Sequence, residues 1–192
     1  AIQRADHGFK EIGARDRVGS ALGSTTILDG GVTPLTVGIK IERRVLGAAV
    51  FRGARLIDTL RRHLPSAKAG ARSAVASALT WLTEQYPEAT VGIETLDVPD
   101  SRRAELVELA KTILREQGIA LWELTVREVL ESYGLPDAPA RQICRATAKQ
   151  LWPSLSTGTN SDLISDAALL GYGVQVRKCL AAVDEREEAT GS

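Results

Sequence analysis

Three charged segments follow one another along this 192-residue chain, and their order constrains the fold more than any other feature. Thr36–Val50 reads TVGIKIERRVLGAAV, which predicts a tight hairpin of two strands. Thr90–Glu94 reads TVGIE, a buried strand ending on a carboxylate, and Ser161–Gly171 predicts a helix carrying Asp162 and Asp166 one turn apart. Two-metal phosphodiester chemistry requires carboxylates from such distant segments to converge on one point.

The remaining patterns predict an α/β protein with the element order β-β-β-α-β-α-β-α-α-α. Arg55–Asp58 supplies a third antiparallel strand, and helices alternate with strands after it. We therefore expect one mixed five-stranded sheet with helices on both faces. Residues 1–34 are weakly patterned and form a predicted arm or leader, residues 35–183 the folded domain, and residues 184–192 an acidic solvated tail.

Charge is balanced over the chain but not along it. Basic and acidic residues number 24 each, so no global field draws the protein to nucleic acid or to a membrane. Between Lys40 and Arg72, basic residues outnumber acidic ones nine to two, whereas between Glu84 and Asp137 acidic residues outnumber basic ones twelve to five. The basic block is equally consistent with a phosphate-binding face and with ordinary solvated strand and helix edges.

The order of elements and the addresses of the acids resemble the ribonuclease H-like superfamily, and more closely its RuvC-type branch of Holliday-junction resolvases. That branch opens with a strand of the form G-I-D-P-G followed by T-G, ends its fourth strand on a carboxylate, and carries D-x-x-D-A on its last helix. It also has V-K and G-x-G motifs before the penultimate helix. The matching segments here are Gly38–Glu42 with Leu46-Gly47, Glu94, Asp166-Ala167, Val126-Arg127 and Ser132–Gly134.

The resemblance implies a nuclease that uses Mg²⁺ or Mn²⁺ to hydrolyse phosphodiester bonds in structured DNA or RNA. On this interpretation Glu94 and Asp166 ligate the metal and, together with Asp162 and Glu42, form the catalytic set. The predicted nucleic-acid-binding residues, all basic, are Lys40, Arg43, Arg44 and Arg127. Because RuvC-type resolvases work as dimers, the resemblance also suggests a homodimer.

Lys40 departs from the family pattern, because it stands where the first catalytic carboxylate is expected. An ammonium group at this position would compete with a divalent cation instead of binding it. Either Glu42, two residues along the same strand face, replaces the lost ligand, or the site is inactive, or Lys40 is an idiosyncratic change. The alternative function is therefore a non-catalytic ribonuclease H-like module, a pseudoenzyme that binds nucleic acid or a protein partner.

Two further expectations concern the rest of the chain. The three tryptophans, Trp81, Trp122 and Trp152, are predicted to lie in the core instead of serving as base-stacking platforms. The sequence has no apolar run of the roughly 20 residues that a membrane span needs, and the first residues lack the apolar stretch of a signal peptide. We therefore expect a cytoplasmic protein with no membrane partner.

Overall fold

The computed structural model describes residues 33–96, 101–134, 140–156 and 161–190. The predicted arm thus lies almost wholly outside the described residues. The strands are β1 (Leu35–Glu42), β2 (Val45–Arg52), β3 (Arg55–His63), β4 (Thr90–Glu94) and β5 (Leu121–Leu124). The helices are α1 (Lys68–Gln85), α2 (Ser101–Glu116), α3 (Val126–Glu131), α4 (Ala140–Leu151) and α5 (Ser161–Thr190), and a short 3-10 helix, Pro153–Ser156, lies between the last two.

The five strands form one mixed sheet in the order β3-β2-β1-β4-β5. β1, β2 and β3 pair antiparallel through short turns, and β4 and β5 continue the sheet in parallel with β1. The predicted fold class, three antiparallel strands followed by alternating helices and strands, is confirmed. The carboxyl ends of β1 and β4 lie side by side at one edge of the sheet, because these two neighbouring strands run in the same direction.

Each face of the sheet has its own buried cluster. One face presents Val37, Ile39 and Ile41 of β1, together with Val91 and Ile93 of β4, to helices α1 and α2. The other face presents Ala49 and Phe51 of β2 to α4 and α5. Because successive side chains of a strand point to opposite faces, this division fixes which residues of β1 and β4 face α5.

The ends of the helices are stabilised in different ways. Thr125 is the N-cap of α3 and forms a complete capping box: its side chain accepts from the amide of Glu128, and the amide of Thr125 donates to the carboxylate of Glu128. The N-cap of α1 is Ala67, and no side chain caps this helix. The last helix continues to Thr190, into the segment predicted as a tail after residue 183, because that segment contains good helix formers and no glycine or proline before residue 191.

The tryptophan prediction is correct for Trp152 and wrong for Trp81. Trp152 is buried against Phe51 and Tyr172, whereas Trp81 is 39% exposed on the outer side of α1. Among the described helices, none combines the length and the apolar character needed to cross a membrane.

Candidate functional site

A five-residue segment of β1, Thr36–Lys40, matches β4: both begin Thr-Val-Gly-Ile, and they differ only at the fifth position, which is Lys40 in β1 and Glu94 in β4. They pair in register, Thr36 with Thr90 and Gly38 with Gly92. The α5 face of the two strands therefore consists of three successive rows: a threonine pair, a glycine pair and a lysine–glutamate pair.

Side chains of α5 bind the threonine row. Gln175 donates a 2.6 Å hydrogen bond from Nε2 to the Oγ1 of Thr36, and Lys178 donates a 3.0 Å bond from Nζ to the Oγ1 of Thr90. These bonds satisfy two buried hydroxyl groups at the start of the strands, and they fix the position of α5 along the sheet.

The glycine row lets the backbone of α5 touch the sheet. A methyl group at Gly38 would overlap the carbonyl oxygen of Ala167, and one at Gly92 would lie 2.6 Å from Cγ2 of Val174. Gly171 of α5 sits directly over Gly38. This close approach brings Asp166, which lies one turn before Leu170 on α5, to the cavity that Lys40 and Glu94 also line.

The third row is a buried ion pair. Lys40 is 1% exposed and Glu94 is 5% exposed, and the ammonium of Lys40 donates to Oε2 of Glu94. The same carboxylate oxygen accepts from the guanidinium of Arg103 on α2, and Nε of Arg103 donates a 2.8 Å bond to the carbonyl oxygen of Ile41. Glu94 is thus bound by two cations that come from two different elements.

The second half of the site joins α4 to α5. Arg145 forms a bidentate pair with Asp166, with Nε to Oδ1 at 2.5 Å and Nη2 to Oδ2 at 2.6 Å. Lys149, one turn further along α4, donates a 2.6 Å bond to Oδ1 of Asp162, and this hydrogen bond lowers the pKa of Asp162. The hydrogen bonds that Arg145 donates to Asp166 raise the pKa of the Arg145 guanidinium.

Glu42 stands at the rim between the two halves. Its carboxylate lies 3.7 Å from Nζ of Lys40 and 3.6 Å from Nη2 of Arg103. The structure therefore brings the four predicted catalytic carboxylates to one region and matches them with equal positive charge. The carboxylates are Glu42, Glu94, Asp162 and Asp166, and the cations are Lys40, Arg103, Arg145 and Lys149.

These residues do not fit a pair of divalent metal ions. Glu94 and Asp166, the predicted ligands, are bound by Lys40, Arg103 and Arg145, and no group of three or more metal-binding side chains is arranged as a metal site within the described part of the chain. Lys40, Glu94 and Asp166 line a small cavity. The space in it that the centre of a water molecule can occupy is about 20 Å³, which is room for about one water. Mg²⁺ usually keeps several waters of its own. The predicted Mg²⁺ or Mn²⁺ cofactor stays a prediction that the geometry does not favour.

The predicted nucleic-acid-binding residues do not lie together. Lys40 is buried in the ion pair, and Arg127 is exposed on α3, where its Nε donates a 2.8 Å bond to Glu131. Arg43 and Arg44 form the exposed β1–β2 turn. Beside that turn runs the end of β3, where Arg61 and Arg62 pair with Gly47 and Leu46 of β2. We refer to Arg43, Arg44, Arg61 and Arg62 as the basic cluster.

Sequence reasoning missed Arg103, Arg145 and Lys149, and it did not foresee that Lys40 pairs with Glu94. Two sequence signals of these charge pairs were nevertheless present. The shared Thr-Val-Gly-Ile segments align Lys40 with Glu94 once the two strands pair in register. Arg145 and Lys149 have the same four-residue spacing as Asp162 and Asp166, so two antiparallel helices can match the four charges. No comparable signal marks Arg103, whose partners are fixed by how α2 packs on the sheet.

This sheet topology, with an acidic and basic centre at the ends of β1 and β4 under the last helix, defines a ribonuclease H-like fold of the RuvC type. The structure of RuvC from Thermus thermophilus aligns with a TM-score of 0.64 at 12% identity, over 77% of this chain and 96% of that chain. T. thermophilus RuvC in complex with Holliday junction substrate aligns with a TM-score of 0.62 at 13% identity, over 76% of this chain and 96% of that chain. At these identities the likeness establishes the fold alone.

A third structure, ROK hexokinase from Thermus thermophilus, aligns with a TM-score of only 0.36, which carries no weight for the fold. No protein-family model matches the chain, and no curated protein matches it in sequence.

Proposed function

We propose that this protein is a RuvC-like module that binds nucleic acid and does not hydrolyse phosphodiester bonds. The observation that carries the proposal is the buried pair between Lys40 and Glu94, at the position where the fold's metal-binding carboxylates would converge. The proposal corresponds to the pseudoenzyme alternative and not to the metal-dependent endonuclease.

The electrostatics of the pair support the absence of catalysis. A divalent ion could reach Glu94 only after Lys40 and Arg103 left it, and Asp166 only after it gave up its bidentate guanidinium. Removing one partner of a buried pair leaves an uncompensated charge, which costs several kcal/mol. Glu42 does not replace the missing ligand readily, because it faces Lys40 and Arg103 itself.

The basic cluster supports nucleic-acid binding. Its four arginines lie at one end of the sheet, on the β1–β2 turn and the neighbouring edge strand, and arginine forms bidentate contacts with phosphate. One structure with the same fold is a RuvC bound to a Holliday junction, so branched DNA is the first ligand to test.

The test combines binding and cleavage on four-way-junction, duplex, single-stranded and RNA–DNA hybrid substrates, with Mg²⁺ and then Mn²⁺. We expect salt-sensitive binding without product in either metal. Arg44→Gln should reduce the slope of log affinity against log salt concentration by about one, because one phosphate contact is lost. Arg115→Gln is the matched control, since it removes an exposed arginine that is paired with Glu123 at the far end of α2.

Two results would contradict the proposal. Cleavage that disappears in Asp166→Asn would establish a working catalytic site in spite of Lys40. A failure of all four substrates to bind at low salt would remove nucleic acid as the ligand.

A further inference from the structure

A groove runs between the edge strand β3 and helix α1, on the sheet face opposite the ion-pair site. Its walls are Leu60 and Arg62 of β3 and Ser77, Ala78 and Trp81 of α1. The space in the groove that the centre of a water molecule can occupy is about 330 Å³. β3 is the last strand on this side of the sheet, so one side of the groove is open to solvent. The groove is therefore accessible without movement of the core.

The indole of Trp81 is exposed but held in place. Its neighbours on α1, Leu79 and Leu82, are buried in the core, whereas Trp81 is 39% exposed. The ring packs edge-on against Tyr86, with ring centroids 6.5 Å apart and an interplanar angle of 83°. Tyr86 is anchored in turn, because its hydroxyl donates a 2.8 Å hydrogen bond to Oδ2 of Asp58 on β3. The ring is thus a fixed apolar surface at the side of the groove.

Arg62 supplies a positive charge at the same groove. It is exposed and forms no ion pair with another described residue. The nearest acid on β3, Asp58, is used locally, because its Oδ1 accepts from the amide of Thr59 and its Oδ2 from Tyr86. Arg62 is also a member of the basic cluster, so the groove is continuous with the surface assigned above to phosphate.

We propose that this groove binds an unpaired nucleotide, with its base stacked on Trp81 and its phosphate bound by Arg62. The proposal rests on the proposed nucleic-acid binding and specifies where a single-stranded portion of the ligand lies. An exposed, fixed indole beside a guanidinium and an apolar floor suits a base and its phosphate, because every base has a face that stacks on an aromatic ring. A paired base has both faces covered by its neighbours, so duplex DNA does not use this groove.

Tryptophan fluorescence tests the assignment directly. Titration with an oligo-dT strand should quench the emission of the parent protein, and an equally long duplex should not. Trp81→Phe should abolish the quench but retain binding, because phenylalanine still stacks. Trp81→Leu should weaken oligo-dT binding about tenfold and leave duplex binding unchanged. Trp122→Phe, which alters emission elsewhere, is the matched control and should keep the quench.

The outcomes separate this inference from the proposed function. If oligo-dT binds with no quench and Trp81→Leu binds it as tightly as the parent, the groove assignment is overturned while nucleic-acid binding stands. If no nucleic acid binds at all, the proposed function fails and the groove assignment with it. Arg62→Gln adds a second reading, since it should lower the salt slope for oligo-dT by about one unit whether or not Trp81 is present.

Discussion

β1 and β4 present different kinds of residue to the two faces of the sheet, and the helices on the two faces are held in different ways. On the face toward α1 and α2, β1 and β4 present aliphatic side chains (leucine, valine and isoleucine), and the contact is made by side chains. On the face toward α5 they present threonine, glycine and charge, and the contact at the glycine row is made by backbone. The first face gains stability from burying apolar area, while the second positions a charged centre by close approach.

This difference predicts how each face responds to change. A core of branched side chains loses stability gradually when a methyl group is removed. A backbone contact has no side chain that can move aside, and a buried ion pair cannot lose one partner without leaving a charge behind. The α5 face should therefore be the more sensitive of the two, although its buried cluster contains fewer residues.

The largest effect should come from one added carbon on the α5 face. Gly38→Ala places a methyl group on the carbonyl oxygen of Ala167, so α5 cannot remain seated. We expect a loss of at least about 4 kcal/mol in the free energy of unfolding, above the usual range for overpacking, measured by urea denaturation. Ile39→Val, which removes one carbon from the opposite face, should cost about 1 kcal/mol.

Gly173→Ala is the control for this comparison, because the methyl group it adds to α5 meets no atom within 4 Å apart from its chain neighbours and the backbone of its own helix. It should leave stability unchanged or raise it by about 0.5 kcal/mol, as expected for a helical glycine replaced by alanine. If Gly38→Ala were as stable as Gly173→Ala, the backbone contact would not hold α5.

The second prediction concerns the buried pair between Lys40 and Glu94. Lys40→Met keeps a long side chain but removes the ammonium from Glu94, and we expect a loss of about 3 kcal/mol in unfolding free energy. The double variant Lys40→Met/Glu94→Gln should recover part of that loss, because it also removes the buried carboxylate that has lost one of its two cations, while Arg103 keeps Glu42 and the carbonyl oxygen of Ile41. Lys149→Met, which removes the partner of a largely exposed carboxylate, should cost less than about 1 kcal/mol. Equal losses for Lys40→Met and Lys149→Met would contradict the distinction between the inner and outer pairs.

The smallest predicted effect concerns the outer pair and pH. Asp162 has a pKa below its ordinary value of 3.8, mainly because Nζ of Lys149 donates a hydrogen bond to its carboxylate. A lowered pKa in the folded state stabilises the fold above the unfolded-state value and loses that contribution as pH falls through the folded-state value. Since the side chain is 59% exposed, Asp162→Asn should cost under about 1 kcal/mol at pH 7.

The pH dependence provides the check. The stability difference between the parent and Asp162→Asn should shrink below about pH 4 and vanish once Asp162 is protonated in the parent. A difference that grows at lower pH would show that the substitution acts through something other than the ion pair with Lys149.

Local patterns were enough to predict the architecture of the domain. The alternation in Leu35–Glu42, the tight turn at Arg43-Arg44 and the capping box at Thr125 are short-range signals, and the structure has the corresponding strand, hairpin and helix. Glu94 and Asp162 could be recognised from short-range signals too, because Glu94 ends the apolar segment of β4 and Asp162 lies at the start of the periodic segment of α5.

The pairing of charges was not predicted, because it depends on contacts between distant segments. Arg103 looks like an ordinary polar residue in the first turn of α2, and only the packing of α2 on the sheet brings it to Ile41 and Glu94. The burial of Lys40 and the exposure of Trp81 were not predicted either, since no local pattern distinguishes a lysine inside the fold from one at its surface.

The seating of α5 on Gly38 also bears on how the chain acquires its structure. The two parts of this contact lie near opposite ends of the domain's sequence, so it belongs to the non-local contacts that form slowly. The three-stranded meander can pair through short turns well before the last helix is available. We therefore expect α5 to dock late in folding, in a step that dehydrates Lys40 and Glu94 together.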